Sequence, residues 1–179
     1  MCKIFQIFLS CLILVGTFGC GAKEYLGLGD KGFLGIGGKD RTVYTGPVYP
    51  STNKKIVVAF QPAQVGKSCR VFAEALVQLP PMVTGKDIEQ TVLAEAGKRG
   101  ADQVLIGQSR QGDEKSVHFL YYGPDKEYPC AEQCGSWKTS YDFWEKQGEW
   151  ESVGYKEWGK SDVRYEKPLI MQIALLQCR

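Results

Sequence analysis

Thr84-Gly85-Lys86-Asp87-Ile88-Glu89-Gln90-Thr91-Val92-Leu93-Ala94-Glu95-Ala96-Gly97-Lys98-Arg99-Gly100 runs directly into Ala101-Asp102-Gln103-Val104-Leu105-Ile106-Gly107. The first part carries signals for both ends of a helix. Thr84 is a good N-cap, and Asp87 three residues on completes a capping box with the shorter acid. Ile88, Val92 and Ala96 recur at i, i+4 and i+8, with Leu93 widening the stripe, so one face packs on a sheet. Lys98 and Arg99 suit the dipole of the last turn, and Gly100 is the expected C-cap. The second part enters a strand almost at once. That short connection predicts an α+β fold, with a mostly antiparallel or mixed sheet and one main covering helix over 84–99.

Working outward, Ile56-Val57-Val58-Ala59-Phe60 is a short β-branched run that reads as a buried strand, punctuated by Pro62 and Gly66. Cys69 to Val77 reads as a second strand with room for a bulge, ended by Pro80-Pro81. Val117 to Tyr122 is another, stopped by Gly123-Pro124-Asp125. The closing run Leu169 to Cys178 is apolar on both alternating faces, which marks a central strand. Between 111 and 167 the texture changes. All four tryptophans, Trp137, Trp144, Trp150 and Trp158, fall there among Tyr141, other aromatics and many charges. Glycines 148, 154 and 159 predict an aromatic-rich β insertion of short strands and turns.

Upstream, Lys3 precedes an apolar run from Ile4 to Gly16, too short for a membrane span of about 20 residues and of the length of a secretory leader. Gly19-Cys20-Gly21 at its end resembles a bacterial lipoprotein cleavage site, although Thr17 and Phe18 stand where such sites carry Leu and a small residue. On that resemblance residues 1–19 are removed and Cys20 becomes a lipidated first residue. The other reading is an ordinary secreted chain, since Thr17 and Gly19 also suit a general signal-peptidase site. Residues 20–54 then form a glycine-rich tether and 55–179 a single globular domain. Within the tether, Gly27, Gly29 and Gly32 match the dinucleotide fingerprint G-x-G-x-x-G, but no strand precedes them and no helical periodicity follows. The match is accidental, and no cofactor is expected.

Removing 19 of the 179 residues leaves 160, enough for one core without metals or oligomerisation. Lys3 is the leader's one charge, so 21 of the 22 Lys plus Arg remain against 20 Asp plus Glu. A near-neutral chain argues against nucleic acid as a partner. Beyond Cys20 stand Cys69, Cys130, Cys134 and Cys178, an even count that in an exported protein reads as two disulfides, with three pairings open. A four-cysteine zinc site would need a reducing compartment and tighter spacing, so no metal is expected.

Gly66-Lys67-Ser68-Cys69, the helix, and then Gly100-Ala101-Asp102-Gln103-Val104-Leu105-Ile106 resemble the core of small stress-sensing envelope lipoproteins, exemplified by the sensor of the Rcs phosphorelay. The resemblance covers under a third of the mature chain. It implies a lipid-anchored domain with two disulfides and a sensing role; that family carries a cysteine after the post-helix strand, and in this chain Ser109 lies near that place.

His118 is the only histidine and no nucleophile accompanies it in a recognisable motif, so a structural or surface role is expected. Asp142, Glu145, Glu149, Glu151 and Glu157 would serve a glycan hydrolase if paired beside tryptophan platforms, although charges alternating with aromatics are more often the wet face of a strand. The tryptophans and Tyr141 offer a binding platform for a glycan or an envelope protein, unless they fill a second small core. The expectation is a lipid-anchored bacterial envelope protein, facing the periplasm from the outer membrane, with a binding, structural or stress-sensing role and no catalysis. The alternative is a cell-wall glycan-binding protein or hydrolase using residues 137–158.

Overall fold

Thr84 and Asp87 cap the helix reciprocally: Thr84 Oγ1 accepts the Asp87 N–H at 3.2 Å, and Asp87 Oδ2 accepts the Thr84 N–H at 2.8 Å. Bonds from the Thr84 side chain and then from its backbone hold the Asp87 carboxyl below its ordinary pKa. Helix α1 follows as Gly85–Arg99 and ends at Gly100, whose φ of 72° is the left-handed conformation a C-cap glycine tolerates. Ile88, Val92 and Ala96 are fully buried. Leu93 is only partly so, and it lines a groove instead of widening the buried stripe.

The computed structural model describes residues 42–50, 55–130, 134–135, 137 and 144–179. Its strands are β1 (Val57–Ala59), β2 (Cys69–Leu79), β3 (Val83–Thr84), β4 (Gln103–Gln111), β5 (His118–Gly123), β6 (Tyr128–Pro129), β7 (Arg164–Tyr165) and β8 (Leu169–Cys178). Among the described residues the main sheet runs β1-β4-β8-β2-β5, with β6 also on β2, and β3 pairs with β7 apart from it. β1 is parallel to β4 and the other pairs are antiparallel, so the sheet is mixed. The fold is α+β. The register shift between Val71 and Ala73 places a bulge in β2.

β8 is central and buried on both sides, which is why its sequence shows no polar alternation. Met171, Ile173 and Leu175 join the helix face, where Ile88, Val92 and Ala96 meet Phe72, Ala75 and Val104. Each Val, Leu, Ile or Met side chain so buried contributes about 1.5–3 kcal/mol. On the opposite face, Ala174 and Leu176 pack with Val71, Leu105 and Cys130. Ile170 there packs with Leu76, Leu120, Tyr122 and Trp144. Thus Cys134, Trp137 and Trp144 help to cover that second face. Two strands from within the expected insertion, β5 and β6, belong to the main sheet. In the described part of 144–167, Trp150 makes one isolated bridge to Arg110, and β7 is two residues long. Loops carry the rest.

Residues 42–50, from the stretch assigned to the tether, lie against the domain. The Tyr49 N–H donates to the Arg99 carbonyl at 3.0 Å, and the Tyr44 ring stacks obliquely on Tyr121 at 4.6 Å. Arg99 lies 4.5 Å over the Tyr44 ring and donates to Glu95 at 2.6 Å, and the Tyr121 hydroxyl donates to the same carboxylate at 2.6 Å. Burial, opposed by the Arg99 charge, pushes the Tyr44 hydroxyl up to about 12. Among the described residues no helix is long and apolar enough to cross a membrane.

Candidate binding groove

The cysteines resolve the open pairing. Cys69 and Cys178, cross-strand partners in the β2–β8 ladder, are disulfide-bonded, and so are Cys130 and Cys134. Their sulfurs therefore lie in bonded pairs rather than in a four-thiolate metal set. Among the described residues no group of three or more His, Cys, Asp or Glu could hold a metal ion. Ser109, within β4, is buried and donates to the Glu151 carbonyl at 3.1 Å.

The tryptophans do not form one platform. Trp144 is 2% exposed and belongs to the core, and Trp137 is half-buried beside it. Trp150 is 57% exposed, but Arg110 covers one face of its ring at 4.4 Å. Trp158 packs edge-on against Phe60 at 5.7 Å. The physical reason is the bare second face of the sheet: large rings close to it are worth more buried than exposed. Cys20, Tyr141 and Asp142 lie outside the described residues. His118 is exposed, with Nε2 2.8 Å from Ser116 Oγ. Glu149 and Glu151 both accept from the Gln111 amide, at 3.4 and 2.7 Å. Glu157 turns back into its own loop to accept the Gly154 N–H at 2.9 Å.

Two hollows flank Phe60. The smaller, about 340 Å³, lies towards Trp150 and the β4 segment Ile106–Ser109. The larger, about 730 Å³, runs along β1 and is walled by α1 on one side and residues 155–160 on the other. Backbone bonds build that second wall. The Trp158 N–H returns to the Gly154 carbonyl at 3.0 Å, the Gly159 N–H reaches the Gly85 carbonyl at 3.1 Å, and the Lys86 N–H reaches Lys160 at 2.9 Å. Gly85 makes this close approach feasible, because a Cβ there would sit 1.9 Å from the Glu157 carbonyl oxygen.

The groove floor is apolar, from Ile56, Val58 and Leu93, and its rim carries Lys55, Lys156 and Lys160 against the single carboxylate Glu89. Tyr155, 82% exposed, stands at the mouth with its ring edge-on to Phe60 at 6.1 Å. The Trp158 indole N–H has no acceptor among the described residues. An apolar floor with a few charged groups around it is the composition of a ligand site. Of the expected platform residues that are described, only Trp158 belongs to it. Sequence reasoning missed Phe60, Leu93, Tyr155 and the lysines, although the aromatic and cationic pairs Tyr155-Lys156 and Trp158-Gly159-Lys160 were a readable signal. No protein-family model, curated protein or solved structure matches the chain.

Proposed function

We propose that this chain is a lipid-anchored protein of the bacterial envelope, held by Cys20 in the outer membrane facing the periplasm, whose domain binds a partner in the groove beside β1. The observation that carries the binding role is the groove itself: exposed Tyr155 and half-buried Trp158 beside an apolar floor, ringed by lysines. Two disulfides in the domain accord with export, because thiols persist reduced mainly in the cytosol. The anchor rests on Gly19-Cys20-Gly21 after the apolar leader. Binding, structural support or stress sensing by way of the bound partner is the role, without catalysis.

Intact mass of the protein extracted from membranes of a bacterial host, before and after reduction, tests the anchor. The expected species begins at Cys20, carries added lipid mass and gains four hydrogens on reduction. A chain retaining residues 1–19, or lacking lipid, would overturn the anchored reading. Alanine at both Tyr155 and Trp158 is expected to weaken capture of the groove's partner at least tenfold, read by affinity against envelope extract.

A further inference from the structure

The groove is also the open edge of the sheet, and that narrows what fits it. The Val57 N–H donates to the Asp102 carbonyl at 3.0 Å on the β4 side. Because strand groups alternate in direction, the Val58 N–H and C=O point to the other side. Among the described residues no strand pairs there. The Phe60 and Gln61 N–H groups, next along the chain, are both taken by Gln64 Oε1 at 2.7 and 3.0 Å, so the open edge centres on Val58. Val57 is 56% exposed beside it.

Charge points the same way. Lys55, Lys156 and Lys160 are exposed, and among the described residues none of them is ion-paired. Against them the groove presents only Glu89. For the ring hydroxyls of a neutral sugar the described lining offers as side-chain hydrogen-bond acceptors only the Glu89 carboxylate and the Tyr155 hydroxyl, beside lysine donors. An extended polypeptide brings its own backbone donors and acceptors and needs only a strand edge, an apolar strip and complementary charge.

We infer that the groove receives an extended acidic segment of a partner protein, which adds to β1 as a further strand. This rests on the groove being the binding site. The segment's backbone pairs with Val58, its apolar side chains lie on Ile56 and Leu93, and its carboxylates face the three lysines. With so short an edge the lysines supply much of the attraction, so binding weakens as salt rises.

The test titrates the full membrane-extracted chain in detergent with a fluorescein-labelled decapeptide of alternating aspartate and valine. Anisotropy follows binding, and amide spectra follow hydrogen exchange at Val58. Binding is expected, with slowed exchange at Val58 and a loss of about tenfold in the double variant Lys156→Glu, Lys160→Glu. Both lysines are exposed, so the variant is expected to keep the parent unfolding midpoint. Peptide binding without protection of Val58, or insensitive to the lysines, would overturn strand addition. Tetragalacturonate, anionic but without a peptide backbone, is the parallel probe. If it binds through the lysines and the peptide does not, the groove remains a binding site and strand addition falls; if neither binds, both readings fall.

Discussion

Glu74 and Glu95 are 3% and 7% exposed, and their surroundings differ. Glu74 has the Tyr128 hydroxyl at 2.6 Å as its donor, and burial, only partly offset by that bond, pushes its carboxyl up from 4.5. The folded state then holds the proton more tightly than the unfolded one, so stability falls as pH rises from 4.5 through the folded value. Glu74→Gln is therefore expected to raise the urea midpoint near neutral pH and to leave it almost unchanged in acid. Burial also raises the Glu95 carboxyl, but bonds from Tyr121 and Arg99 outweigh it and bring the pKa down. Its contribution is present above 4.5 and lost as pH falls through the folded value. Glu95→Ala strands the Tyr121 hydroxyl and Arg99 and is expected to cost about 2 kcal/mol near neutral pH, by the same denaturation. Neither site was legible in sequence, because Tyr121 lies 26 residues from Glu95 and Tyr128 lies 54 from Glu74. The tryptophans make a second contrast at this scale. Trp144→Ala is expected to cost about 3–5 kcal/mol, whereas Trp150→Ala should change the midpoint by less than about 1 kcal/mol.

At the scale of elements, α1 and the 154–160 loop form the groove jointly. The loop is bonded to the first turn of the helix at Gly85 and Lys86, which orders Tyr155 and Trp158 opposite β1. A methyl group at Gly85 collides with the Glu157 carbonyl and approaches Lys160 O at 3.0 Å. Gly85→Ala is thus expected to destabilise by about 2 kcal/mol, by denaturant melts, and to displace the loop. An exposed helix N-terminus would tolerate alanine there, so the size of the loss reports the helix–loop contact. The helix was legible because its caps and stripe act within four residues; its neighbouring loop was not, since Gly85 meets Glu157 only after folding.

Across the whole molecule, Cys69–Cys178 closes a separation of 109 residues and joins the ends of β2 and β8, whereas Cys130–Cys134 spans 4. On chain entropy, removing the long bridge by Cys69→Ala with Cys178→Ala is expected to cost about 4–5 kcal/mol, and removing the short one about 2 kcal/mol. Urea titrations of the two double variants against the parent give the comparison. A long-bridge loss no larger than the short one would mean that the unfolded chain is already compact around β2 and β8.

Local signals alone determined the helix and its ends, the positions of β1, β2, β4, β5 and β8, and the centrality of β8, because capping, periodicity and two-sided apolarity act between residues near in sequence. The tertiary structure decided the rest. Strand order put β1 at an open edge, the second sheet face drew Trp144 into the core, and three distant stretches met around Phe60 to make the groove. Those outcomes depend on which apolar surfaces are left uncovered once the strands have paired, and no spacing along the chain records that.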